Sequence, residues 1–449
     1  MPSASARAKA LDRLPLIGRS SELTLLTKAL TEAGNGRGQT VFLCGEGGVG
    51  KTRVASAAAE EAAKRGWNVA LGRSYAVETG IPYALFSDAL LPSLKKLDPS
   101  TLSVLTRGGS AELSYLFPAL SSGSERERAA AAIDPSDLKA RLLWNFSQFL
   151  GRYAARQPLC IVLENLQWTD ASSLELFHFV ARQIKDQRIA LIATYNDTEG
   201  DANPVLRTTE QSLVRLGSAT RYRLEPLSQV EVAEMLETVF SVDPGSIRPF
   251  TALLYGWTRG NPFFLEETLK SLVESGALQH VDGGWQGWEV EALNLPPTIR
   301  DAVSGRLDRL SPPAREIANL AAVVGTSVPF NRLQAVSSTS ETELAALLDE
   351  LTAQRILEER DGDGVAGYDF AHPILQQVTY NALGGARARL LHARVAESLE
   401  SFYGTRAMAH AGELALHFSR AHTFAPKSVR YLNEAGRSAL AAYANREAA

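Results

Sequence analysis

The sequence predicts an α/β fold: a parallel sheet covered by helices on both faces, then a mostly helical continuation with one small wing. Short runs that are apolar throughout, such as "VFLC" and "LCIVL", alternate with amphipathic helical stretches. Strands buried on both faces read this way, and their alternation with helices argues for parallel pairing. After Pro226 the strand signals stop and apolar residues recur at helical spacing.

In chain order, residues 1–14 read as a disordered tail. Thr40–Cys44 is a strand, followed by a Gly-rich turn and a helix over 51–65; Trp67–Leu71 is a second strand. Helical segments and a loop at "SSGSERERAAAAIDPSD" (121–137) lead to a helix over 138–155, then to the strand Leu159–Leu163. A helix over 171–186, the strand Ile189–Tyr195 and a last strand near Tyr222–Leu224 complete the unit. "LSQVEVAEMLETVF" is a helix with Ser228 as cap, and "GNPFFLEETLKSLVESGAL" is another with Asn261 as cap and Pro262 at its first position. "DGGWQGWEV" reads as a hairpin-like insertion. Leu295-Pro-Pro-Thr298 opens a new unit with helices over 298–309, 313–323 and 340–353. A hairpin turning at Asp361–Gly364 follows, so this unit reads as a winged helix. From 386 onward the pattern is all helical, the start of a TPR-like repeat array. It stops at Ala449 inside a helix without the polar cap that such arrays need, so we expect a longer chain. The expected division is a tail (1–14), a P-loop domain (15–225), a helical subdomain (226–294), a winged helix (295–385) and the array (386–449).

With 449 residues, 45% hydrophobic and 21% charged, the chain can build a sizeable core. A net charge of −4 gives no reason to expect a broad nucleic-acid-binding face. Cys44 and Cys160 both lie inside apolar runs and read as buried thiols of a cytoplasmic protein rather than metal ligands. The N-terminus lacks the apolar core of a secretory signal, and no apolar stretch approaches a membrane span.

The chemistry lies in Gly45-Glu-Gly-Gly-Val-Gly-Lys-Thr52, which fits G-x-x-x-x-G-K-[ST] between a strand and a helix. Its glycines allow a tight loop whose N–H groups face phosphate oxygens. Lys51 reaches the outer phosphates, and Thr52 offers a hydroxyl to Mg²⁺. We take Gly45, Glu46, Gly47, Gly48, Val49, Gly50, Lys51, Thr52 and the following Arg53 as the nucleotide-facing set, and ATP or ADP with Mg²⁺ as the cofactors. The strand Leu159–Leu163 ends in Glu164-Asn165. Glu164 is the expected metal-supporting acid, facing Thr52. Asn165 stands where a base could sit; an amide can orient a water but cannot take its proton. Asp170 reads as a helix cap.

"PLIGRSSEL", "GEGGVGKT", "LENLQWTDASSLELFHFVAR", "IALIATYNDTE", "RGNPFFLEETLKSLVESG" and "FAHPILQQVTY" occur in this order. With them the chain resembles the STAND-type AAA-related ATPases that form the N-terminal half of large LuxR-type bacterial transcription regulators. The same module occurs beside adenylate cyclase domains and in stand-alone predicted ATPases. The resemblance covers about residues 14–449. It implies that Ile17, Gly18 and Arg19 lie by the adenine. It implies that Pro262, in Gly260-Asn261-Pro262, packs on the base, and that His372 touches the ADP β-phosphate and locks an off state. The chain departs from the family where Asp-Asp is replaced by Glu164-Asn165 and Thr-Tyr-Arg by Thr194-Tyr195-Asn196. Asn196 cannot supply a cation at the γ-phosphate, so hydrolysis is expected to be slow or absent.

The leading expectation is an ATP/ADP-controlled signal-transduction switch: an inducer or protein partner acts on the helical repeats, and opening permits self-association. DNA would be reached only through a domain beyond residue 449, and no membrane is involved. The alternatives are an active ATPase coupled to DNA, like the origin-recognition family, or to an adenylate cyclase partner domain, and a nucleotide-free scaffold. Glu341, Glu343, Asp349 and Glu350 on the helix that would read DNA weigh against the first. The intact Lys51-Thr52 pair weighs against the scaffold.

Overall fold

A computed structural model describes residues 16–75, 82–117, 135–197, 203–243, 245, 247–274, 276–281, 284–287, 307–325, 327–354, 356–360, 367–371, 373–421 and 425–441. The expected tail, most of the expected helix 298–309, the turn at Asp361–Gly364 and His372 lie outside these residues.

Strands β1 (Gln39–Gly45), β2 (Asn68–Arg73), β3 (Leu159–Glu164), β4 (Ile189–Asn196) and β5 (Thr220–Arg223) form one parallel sheet in the order β2-β3-β4-β1-β5. Helices α1 (Ser20–Gly34) and α2 (Lys51–Lys64) cover one face. The other is covered by α3 (Ala84–Leu94), α4 (Pro99–Thr106), α5 (Ser110–Leu116), α6 (Pro135–Arg156), α7 (Ala171–Gln183) and α8 (Pro204–Arg215). This two-sided cover explains the unbroken apolar runs. In β3, Leu159, Ile161 and Leu163 enter the α3–α8 core while Cys160 and Val162 enter the α1–α2 core. β1 splits the same way, with Phe42 and Cys44 on one side and Val41 and Leu43 on the other. Both thiols are buried, and burial pushes that of Cys160 up to about 12.

Two strands of this sheet depart from the sequence reading by two residues at one end, and the others by no more than one residue at either end. β2 runs on to Arg73 although Leu71 is exposed, because its backbone pairs with β3 as far as Glu164. β5 begins earlier, at Thr220; it is an edge strand whose mostly exposed side chains carry no apolar signal.

Helices α9 (Gln229–Phe240), α10 (Arg248–Thr258) and α11 (Pro262–Glu274) share their own core. Ser228 and Glu231 close a capping box at the start of α9. The insertion begins as a hairpin, β6 (Gln279–Val281) with β7 (Gly284–Gln286), and Trp285 packs edge-on against Phe240 at 4.9 Å.

The winged-helix domain contains α12 (Pro312–Val324), β8 (Ser327–Pro329), α13 (Phe330–Ser337), α14 (Glu341–Ala353), β9 (Leu357–Arg360), β10 (Gly367–Phe370) and α15 (Pro373–Asn381). Its wing is a three-stranded antiparallel sheet, β8-β10-β9, rather than the expected two-stranded hairpin. β8 is only three residues long, and α13 is a short helix beside it, so neither carries enough periodicity to be read. Helices α16 (Gly385–Tyr403), α17 (Ala411–Ala421) and α18 (Ala425–Ala441) follow, and one apolar cluster runs from α12 through to Tyr431 on α18. Among the described residues, no helix is long and apolar enough to cross a membrane.

Candidate phosphate-binding site

The site lies at the carboxyl ends of the strands, where open parallel sheets bind ligands. β1 delivers the chain into the loop Gly45–Gly50, and Gly50, in the left-handed region at φ 100, is the N-cap of α2. Five carbonyls in a row along this loop accept hydrogen bonds. Lys51 Nζ donates to Gly45 O and Glu46 O, both at 2.8 Å. Asn261 Nδ2 donates to Gly47 O at 2.8 Å, and the Phe263 N–H donates to Gly48 O at 3.2 Å. Arg19 donates to Val49 O at 2.9 Å. Among the described residues, no protein group accepts from the N–H groups of Gly47, Gly48 or Gly50. A loop whose carbonyls are held from outside and whose N–H groups point elsewhere is a nest for an anion, backed by the positive end of α2.

Two of these contacts, those of Asn261 and Phe263, come from outside the sheet domain. Arg19 also donates to Glu225 O at 2.8 Å, so it ties the loop to the segment entering the helical subdomain. Asn261, almost fully buried, donates further to Glu46 Oε1 at 3.1 Å and accepts from the Phe263 N–H at 3.2 Å. It therefore holds the start of α11 and the phosphate loop at once. Gly48, at φ +83, is required here: a Cβ would stand 2.7 Å from Asn261 Oδ1 and 2.9 Å from Phe263 Cβ.

The other expected residues are placed as follows. Thr52 and Arg53 are exposed on the first turn of α2. Pro262 opens α11 beside the loop. Ile17 packs against the helical-subdomain core, and a Cβ on Gly18 would meet Glu231 and Leu227 of that subdomain within 3 Å. Asn196 ends β4 directly opposite Gly45, and its N–H donates to Gln167 Oε1 at 3.1 Å. Asp170 caps α7, accepting from the Ser173 N–H at 2.7 Å.

Glu164 is buried at the tip of β3, and Arg73 at the tip of β2 holds it, with Nε and one terminal nitrogen each 2.7 Å from Oε2. Burial opposes the Arg73 charge, but Glu164, with Tyr75 and Asp369, outweighs it and raises the guanidinium pKa. Thr52 and Glu164 offer the oxygen donors a hard divalent cation takes, so they fit Mg²⁺; that cation would share Glu164 with Arg73. Asn165 sits in the left-handed region (φ 61, ψ 46), where Asn is one of the few non-glycine residues at ease. Its Nδ2 lies 3.4 Å from Ser74 O and its N–H 3.4 Å from Thr194 Oγ1. The amide is thus turned toward the end of β2.

Residues 15–192 match the model of the AAA ATPase domain. The chain carries an AAA ATPase domain. Over 438 residues it is 24% identical to an uncharacterized protein of Rhizobium meliloti, covering 91% of this chain and 39% of that protein's length. The chain thus spans about two fifths of the curated relative it matches. Among solved structures it is similar to a Signal Transduction ATPase with Numerous Domains from Pyrococcus horikoshii that has a tetratricopeptide repeat sensor (13% identity, 94% of this chain, 54% of that one, TM-score 0.49). It is also similar to the Aeropyrum pernix ORC2 protein (14% identity, 83% and 96% coverage, TM-score 0.41). The phosphate loop, β3 and the first half of β4 fall inside the matched AAA ATPase domain, whereas Asn261 and the wing lie beyond it.

Proposed function

We propose that this chain is a nucleotide-controlled switch of the STAND type, the regulatory half of a larger LuxR-type transcription regulator, which binds ATP or ADP with Mg²⁺ and hydrolyses ATP slowly. The observation that carries the binding half is the phosphate loop: carbonyls held from Gly45 to Val49, N–H groups left for an anion, and Lys51 across the loop. Lys51 supplies charge to the phosphates, Thr52 and Glu164 hold the cation, and Asn261 and Pro262 bring the helical subdomain over the loop. The bound cation supplies charge neutralisation at the outer phosphates.

Slow hydrolysis follows from the γ-phosphate side. Asn165 cannot act as base, and its amide faces Ser74; Asn196 brings no charge opposite Gly45. Glu164 is neutralised by Arg73. An equilibrium that nucleotide biases needs only differential binding of two arrangements, not rapid turnover. A role in DNA loading is disfavoured on α14: its acidic residues oppose phosphate contact, and Glu350 is committed to Ser311, accepting from its N–H at 2.6 Å and its hydroxyl at 2.8 Å.

The test is to measure the nucleotide that copurifies with the chain and its affinity, in wild type and Lys51→Ala. Stoichiometric ATP or ADP in the wild type, lost in Lys51→Ala, is the expected result. A wild-type chain that neither retains nucleotide nor gains thermal stability from ATP with Mg²⁺ would overturn the reading.

A further inference from the structure

We propose that Arg73 is a positioning residue that couples Glu164, at the cation side of the phosphate site, to the seating of the winged-helix domain. The proposal rests on the switch reading above and names the part that transmits it. One edge of the Arg73 guanidinium grips Glu164. Its remaining terminal nitrogen lies 3.9 Å from Asp369 Oδ2 on β10, in the winged-helix domain. The Arg73 N–H is fixed separately, donating to Asp88 Oδ2 at 3.2 Å, so the backbone stays in place while the side chain can change partner.

The winged-helix side is built to feel that change. Among the described residues, Asp369 Oδ1 is buried and makes no hydrogen bond; beside Asp369 stand Arg73 across the boundary, Arg360 4.0 Å away on its own domain, and the like-charged Asp88 carboxylate. A half-buried carboxylate beside a like charge depends on its cations, and an ion pair with one long side chain is worth most when that side chain is already held. Glu164 does the holding. Apart from Arg360, which attracts Asp88 across the boundary, the surroundings add little adhesion: no apolar cluster of the described residues spans the two domains. A polar cavity of about 190 Å³ separates them there, lined by Arg73, Asp88 and Trp168 on one side and Pro329, Arg332 and Arg360 on the other.

Mg²⁺ with ATP and the Arg73 guanidinium draw on the same carboxylate. When Glu164 turns to the cation, Arg73 loses its anchor, its hold on Asp369 weakens, and the wing is released. The grip on Glu164 and the reach to Asp369 are one guanidinium, so both ends respond together.

The experiment uses the full chain with spin labels at the exposed positions Arg182→Cys on α7 and Ala346→Cys on α14, since Cys44 and Cys160 are buried. Distance distributions are recorded with a non-hydrolysable ATP analogue, with Mg²⁺ and with chelator. The wild type should show a longer-distance population that rises about threefold or more with Mg²⁺. In Arg73→Gln the long population should be present without Mg²⁺ and unchanged by it, while analogue binding persists. Asp369→Asn, remote from the loop, should release the wing without Mg²⁺ and, because coupling is reciprocal, bind the analogue more tightly in Mg²⁺ than the wild type does, by about the factor with which Mg²⁺ shifts the wild-type wing. If the wild type responds to Mg²⁺ and Arg73→Gln responds equally, the coupling is overturned and the switch stands. If the wild-type distances ignore nucleotide and Mg²⁺ altogether, the switch reading falls and the coupling with it.

Discussion

Replacing Asn261 with Ala isolates the contact between the helical subdomain and the phosphate loop. Asn261 is 1% exposed and makes hydrogen bonds at 2.8 Å to Gly47 O, 3.1 Å to Glu46 Oε1 and 3.2 Å from the Phe263 N–H. Glu46 is half-buried and can turn to water. The Gly47 carbonyl loses a buried partner, at about 1–3 kcal/mol, whereas the Phe263 N–H keeps Gly48 O. That cost falls on the closed arrangement of loop and subdomain. If nucleotide binds that arrangement, affinity should fall about tenfold or more. Asn261→Asp is the sharper version, because it keeps the shape but sets a carboxylate against the Gly47 carbonyl and the Glu46 carboxylate. It should bind nucleotide more weakly than Asn261→Ala. Titration calorimetry with ADP, alongside circular dichroism to show that both variants fold, reads the effect. Folded variants that bind ADP within about twofold of wild type would refute the claim that this contact shapes the loop.

Gly48→Ala should reproduce the defect from the loop side, since its Cβ would meet Asn261 and Phe263 and its φ of +83 costs about 1–2 kcal/mol for a residue with a side chain; ADP affinity down by about tenfold or more is expected by calorimetry. A separate outcome concerns acid. His392 and His417 are buried with Nδ1 atoms 2.9 Å apart, His392 Nε2 is 2.9 Å from Tyr380 Oη, and Arg420 reaches that hydroxyl at 3.4 Å. Burial, with Arg420, pushes His392 down to about 4; burial, then His392, Arg420 and Arg332, pushes His417 down to about 3. A depressed folded pKa means the unfolded chain takes up protons first, so stability is full above about 6.5 and declines as pH falls toward 4. One such histidine loses about 2 kcal/mol between pH 7 and 5, and His392→Gln should flatten the urea-measured slope.

The sheet was legible because burial on both faces forces apolar runs, and the loop was legible because its glycines and Lys51 have few other uses in that order. What escaped is what distance in sequence hides. Asn261 looks like an ordinary helix cap, and its Oδ1 indeed accepts from the Phe263 N–H; nothing local announces that its Nδ2 reaches Gly47. Arg19 is expected near the base by its backbone, yet its side chain braces Val49 and Glu225. Arg73 is only a strand-end cation until β2 is paired with β3, when its register partner proves to be Glu164. Asn165 reads from sequence as a missing base; the left-handed backbone adds a local reason for an Asn at that position.

Tight nucleotide binding with slow turnover is tested by single-turnover hydrolysis of ATP with Mg²⁺ by the full chain, in wild type, Asn165→Asp and Lys51→Ala. The wild type should hold a bound ATP that is hydrolysed more slowly than about 10⁻² s⁻¹, with no residual binding in Lys51→Ala. A wild-type rate of about 1 s⁻¹ or faster, abolished by Lys51→Ala, would contradict slow turnover.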